Sequence, residues 1–132
     1  MSQLLQEIET LRKPMKELND FIFDHPELGN EEFKAHELLT NLLEKEGFTV
    51  DREVSGLKTA FRAVYHVNGG GPNIGLLCEY DALEGLGHAC GHNLQGPSIC
   101  TAAIALKRTL QAPCTLVVYG TPAEETASGK LV

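Results

Sequence analysis

Two short stretches of this chain concentrate residues that bind metals or move protons. Cys90 and His92 stand one residue apart on a stretch with glycine at positions 85, 87 and 91. Thiolate and imidazole are both good ligands for zinc-like ions, and an i, i+2 spacing on irregular backbone lets both point the same way. Taken alone, the pattern also suits a small core cysteine beside a surface histidine. Glu124 and Glu125 are adjacent, and they follow an apolar run and Pro122. Neighbouring glutamates are usually solvated. Placed here, one carboxylate could bind metal while the other serves as general base to an activated water. Asp81 follows a second apolar run, where it could orient a metal ligand from behind.

Other patterns fail on inspection. His36-Glu37-Leu38-Leu39-Thr40 begins like the HExxH zinc motif, but Thr40 stands where the second histidine is needed. His36 therefore reads as a partly exposed structural histidine. Gly129-Lys130 ends like a phosphate loop, but no glycine lies five residues earlier and Leu131 replaces Ser or Thr. A nucleophilic Cys90 would need a histidine brought to it from elsewhere in the chain. A redox role would need a second cysteine to resolve it, and none is placed for that.

The elements that must position these residues follow from periodicity and punctuation. Apolar residues from Leu4 to Ile22 recur at helical spacing over residues 3–23, with Pro14 set to divide or kink the helix. Asp24-His25-Pro26 ends it. Gly29-Asn30 marks a turn, with Asn30 placed to cap a second helix over about residues 31–46, which Gly47 stops. Strand character follows at 48–50 and 60–67. Ile74-Gly75-Leu76-Leu77-Cys78 is wholly apolar and reads as a buried central strand. Small residues over about 96–110 predict a closely packed helix, and residues 114–119 another buried strand. Helix, helix, strands, helix, strand imply an α/β fold with a layered sheet. The carboxyl ends of its buried strands are the default place for a site. Asp81, Cys90 and His92 follow one such strand and Glu124 and Glu125 the other.

Composition sets the outer bounds. The 132 residues suit one compact domain. The formal charge of −7 comes from 11 basic and 18 acidic side chains, a poor match to nucleic acid or an anionic membrane. No apolar run approaches the roughly 18 residues that span a bilayer, and the first residues lack a signal-peptide pattern. The four cysteines show no CxxC spacing, which reads as reduced thiols in a cytoplasmic protein.

Three segments together carry a family resemblance: His25-Pro26-Glu27-Leu28-Gly29 with Glu31-Glu32; Glu79-Tyr80-Asp81-Ala82-Leu83 leading to Gly87-His88-Ala89-Cys90-Gly91-His92-Asn93; and Thr121-Pro122-Ala123-Glu124-Glu125. In order and spacing the chain resembles the N-terminal part of the two-metal aminoacylase and carboxypeptidase metallopeptidases. Within them it is similar to the amidohydrolase branch, which acts on amino-acid conjugates, p-aminobenzoyl-glutamate and some dipeptides. The resemblance implies a mixed sheet flanked by helices and two divalent metal ions, zinc or manganese, with cobalt or nickel as alternatives. It implies Cys90, His92 and Glu125 as metal ligands, Glu124 as general base and Asp81 behind the ligands. Asn93 and Thr121 stand where many relatives have Asp and Gln, as in the p-aminobenzoyl-glutamate and dipeptide subgroup. Residues 1–132 would be the N-terminal portion of the catalytic domain. The lid and dimerisation domain, the C-terminal half and further histidine ligands would lie outside it. The whole enzyme would act as a homodimer on a small amide or dipeptide; the alternative is an inactive remnant that folds or self-associates.

Overall fold

A computed structural model describes all 132 residues. The chain runs α1 (Gln3–Thr10), α2 (Arg12–Asp24), α3 (Phe33–Lys45), β1 (Thr49–Arg52), β2 (Phe61–Val67), β3 (Asn73–Cys78), α4 (His92–Thr109) and β4 (Cys114–Gly120). The four strands form one mixed sheet in the order β1-β2-β4-β3. β1 pairs with β2, and β2 with β4, antiparallel; β3 and β4 run parallel. A parallel pair needs a crossover, and α4 supplies it. This is the α/β arrangement of a mixed sheet flanked by helices.

The core lies between the sheet and its helices. Period-two alternation sends Phe61, Ala63 and Val67 of β2 and Leu116 and Val118 of β4 inward. Leu39 and Leu43 of α3 and Cys100, Ala103 and Ile104 of α4 meet them in one cluster. These helical positions are spaced three or four apart, as one buried face requires.

Several boundaries differ from the sequence expectation. The first helix breaks at Leu11 rather than at Pro14, which sits in the first turn of α2, where its missing N–H costs no bond. Asn30 does not cap α3; it takes a left-handed conformation at φ 67°. The cap comes from Glu27, which accepts from Lys34 N (3.0 Å) and Ala35 N (2.9 Å), answering two of the free N–H groups of the first turn. His36 is buried rather than partly exposed, with its ring edge against Phe61. α4 begins at His92 and carries Pro97 inside it. The largest difference is β3, which is an edge strand. Ile74 is 40% and Leu77 45% exposed, while β4 takes the buried central place.

Candidate active site

Because β3 and β4 are parallel and adjacent, their carboxyl ends open on the same edge of the sheet. Thr121 fastens the two ends together, donating to Cys78 O from its backbone N (2.9 Å) and its hydroxyl (3.2 Å). Gln95 of α4 continues β3 in place of a strand, accepting from Glu79 N at 2.6 Å and donating to Leu77 O at 3.1 Å. Gly96 makes this approach possible, since a Cβ there would lie 2.9 Å from Glu79 O. Glu79 to Asp81, the start of α4, and Glu124-Glu125 are thereby brought to one place.

His92 is the centre of that place. Asp81 accepts at its ring Nδ1, with both Oδ1 and the backbone oxygen at 3.0 Å. A hydrogen bond at Nδ1 fixes the tautomer and leaves the Nε2 lone pair facing outward. Nε2 lies 3.3 Å from Glu79 Oε2, 3.9 Å from Glu124 Oε2 and 3.8 Å from Glu125 Oε1. Asp81 also accepts from Glu125 N through Oδ2 at 3.0 Å, so one buried carboxylate orients the imidazole and anchors the Glu124-Glu125 segment. Donor atoms of Glu79, His92 and Glu124 lie within 4.8 Å of one another. Oxygen and imidazole donors at that spacing, with a surplus of negative charge, fit a divalent cation.

Lys130 gives the acidic side its counter-charge. It lies on a short 3-10 turn, Gly129–Leu131, and its Nζ reaches Glu79 Oε1 at 2.9 Å and Glu124 Oε1 at 3.3 Å. Both carboxylates hold its ammonium charge above the ordinary lysine range. Each of these glutamates thus spends Oε1 on the lysine and turns Oε2 toward His92.

The five residues singled out from the sequence all lie at this edge. His92, Asp81, Glu124 and Glu125 meet directly. Cys90 sits at the rim, exposed, beside Glu125 and outside the tight Glu79–His92–Glu124 group. The Glu125 carboxylate pushes the Cys90 thiol up from the usual cysteine range. Sequence reasoning passed over Glu79 and Lys130 as site members. Glu79 carried a signal all the same, since it is the first polar residue after β3. Lys130 carried none, because only the turn after Glu125 brings it back. Asn93 faces away from the carboxylates and donates to Asn19 Oδ1 of α2 at 2.7 Å.

An oriented imidazole among carboxylates, at the ends of parallel strands, defines a candidate metal-binding α/β domain. No protein-family model matches the chain. It is 42% identical, over 93% of its length, to a p-aminobenzoyl-glutamate hydrolase polypeptide of Escherichia coli (strain K12), and covers 29% of that protein. It is 39% identical, over 96% of its length, to the Xaa-Arg dipeptidase of Mus musculus, covering 32% of it. Among solved structures it resembles the YXEP protein of Bacillus subtilis, described as a dinuclear metal-binding peptidase of the M20 family. That likeness has a TM-score of 0.78 and 26% identity, over 89% of this chain and 36% of that one. The chain belongs to the M20 family of metallopeptidases. It spans about a third of the length of these relatives.

Proposed function

We propose that this chain carries the nucleophile-activating side of a metal-dependent amide hydrolase. The observation that supports it most is the orientation of His92: Asp81 holds Nδ1, and Nε2 faces Glu79, Glu124 and Glu125. His92, Glu125 and Cys90 would hold the metal, with Glu79 offering a further carboxylate oxygen. Divalent ions bound there would act as a Lewis acid and lower the pKa of a water to about 7.

The chain's own residues do the rest. Asp81, accepting from Nδ1–H, fixes the tautomer and aims the Nε2 lone pair at the metal position. Glu124 is the general base, taking a proton on the carboxylate oxygen turned toward His92 and returning it to the leaving nitrogen. Lys130, bound to the other oxygen, limits the rotation of that carboxylate. Zinc and manganese suit this mixed donor set, as do cobalt and nickel. The substrates are small amides: N-acyl amino acids, aminobenzoyl-glutamate-like conjugates or dipeptides. The names of the relatives support that class.

The test separates the two adjacent glutamates in the whole protein that carries this chain. Glu124→Gln is expected to keep its metal content and to lose about 10²- to 10⁴-fold in hydrolysis of p-aminobenzoyl-glutamate. Glu125→Gln is expected to lose metal itself, measured by elemental analysis after dialysis. Full activity in Glu124→Gln would overturn the general-base assignment.

A further inference from the structure

Glu32 lies outside the cluster above, at the start of α3, and its side chain is completely buried. Neutral donors alone answer it. Thr59 Oγ1 donates to Oε2 at 2.7 Å, and the backbone N–H of Ala123 donates to Oε1 at 2.8 Å. Burial pushes this carboxyl up from the ordinary range, against the opposing effect of those two bonds. An apolar side chain of similar volume would fill the space without the cost of desolvating a carboxyl. Filling therefore does not account for the residue, and it does not cap its own helix, because Glu27 does that.

What Glu32 does that an apolar side chain cannot is hold Ala123. Ala123 has φ 55°, a left-handed conformation that is strained for a residue with a Cβ. Such strain persists only where the surroundings over-determine it. Here Glu32 fixes the Ala123 N–H. The Ala123 carbonyl accepts from Ala127 N at 2.9 Å and Ser128 N at 2.7 Å. Gly29 closes the remaining side, since a Cβ there would lie 2.9 Å from Ala123 Cα and 2.8 Å from Thr126 Oγ1. The next two residues along the chain are Glu124 and Glu125. Their direction follows from the Ala123 dihedrals, and relaxation of Ala123 to an ordinary region would swing both away from His92.

We propose that Glu32 is a positioning residue. Through the Ala123 N–H it fixes the left-handed turn that aims Glu124 and Glu125 at His92. The inference rests on reading that cluster as a metal site, and its test separates the two ideas. Glu32→Ala, Glu32→Gln and Gly29→Ala are made in this chain. Amide exchange of Ala123 and the NMR shifts of Glu124 and Glu125 are followed without metal. Cobalt(II) is then titrated well below each variant's melting temperature.

Glu32→Ala is expected to lose protection at Ala123 and to weaken cobalt binding about 10- to 100-fold. Glu32→Gln retains an oxygen for the Ala123 N–H and an amide that the Thr59 hydroxyl can accept from, so it is expected to keep both properties. Gly29→Ala leaves the carboxyl intact and is expected to behave like Glu32→Ala. A Glu32→Ala chain that melts earlier yet keeps Ala123 protection and wild-type cobalt affinity would overturn the proposal. If that variant does not fold, Glu32→Met, which fills the space without an acceptor, takes its place, and Ala123 still protected there overturns the proposal equally. If the wild-type chain binds no cobalt, the ligands expected outside residues 1–132 are required for binding, and amide exchange still decides the role of Glu32.

Discussion

Asp81 and Glu32 are both buried carboxylates, and they show how differently one residue type can be used. Asp81 touches His92 directly, whereas Glu32 works through backbone 91 residues away. Asp81 was legible because it follows an apolar run and precedes the Cys-Gly-His segment. Glu32 was legible only as part of a motif, since its partners Thr59 and Ala123 meet it through the fold. Its titration gives a prediction at this scale. An acid whose folded-state pKa is raised holds its proton longer in the native chain than in the unfolded one. Its contribution is fully present below the unfolded pKa and is lost as pH rises through the folded pKa. Glu32→Gln removes that dependence. Its melting temperature, followed by circular dichroism from acid to neutral pH, is expected to fall less with rising pH than that of the wild type. Identical slopes would show that Glu32 does not titrate as its burial requires.

At the scale of elements, periodicity located the helices and strands, and strand order was beyond it. The run from Ile74 to Cys78 is apolar enough for a central strand, yet β3 lies at the edge. Composition records how much burial a strand can use, not which strand lies beside it. The start of α4 was misplaced for a local reason: Gly91, at φ 85°, lets the chain turn into the helix four residues before the small-residue pattern begins. That shift puts His92 on the first turn, where Asp81 can reach it. The β2–β4 register places Phe61 opposite Gly120, and a Cβ at Gly120 would lie 2.1 Å from the Phe61 ring. Gly120→Ala must therefore displace Phe61 or open the end of β4. Overpacking of this kind costs typically 1–3 kcal/mol, and a urea midpoint lowered to match is expected. An unchanged midpoint would mean that the ring moves freely, against its burial in the core.

Across the whole molecule, the site exists only because separated segments meet. Residues 79–81, 92, 124–125 and 130 come from two strand ends, a helix start and a late turn. The sequence marked three of these places by their chemistry and held no sign of the fourth, Lys130, whose approach is a property of the closed fold. No helix is long and apolar enough to cross a membrane. The cysteines divide in a way that matters at this scale: Cys78, Cys100 and Cys114 are buried and Cys90 is exposed. With its thiol pushed up by Glu125, Cys90 is expected to alkylate slowly near neutral pH and faster as pH rises. Intact-mass analysis of the native chain after maleimide treatment should find a single adduct, formed more slowly when zinc is present. A second adduct would show that the core opens on the labelling timescale. The native sequence thus supplies a unique chemical address at the rim of its acidic cluster. A fluorophore attached there could report what enters the cleft without any engineered cysteine.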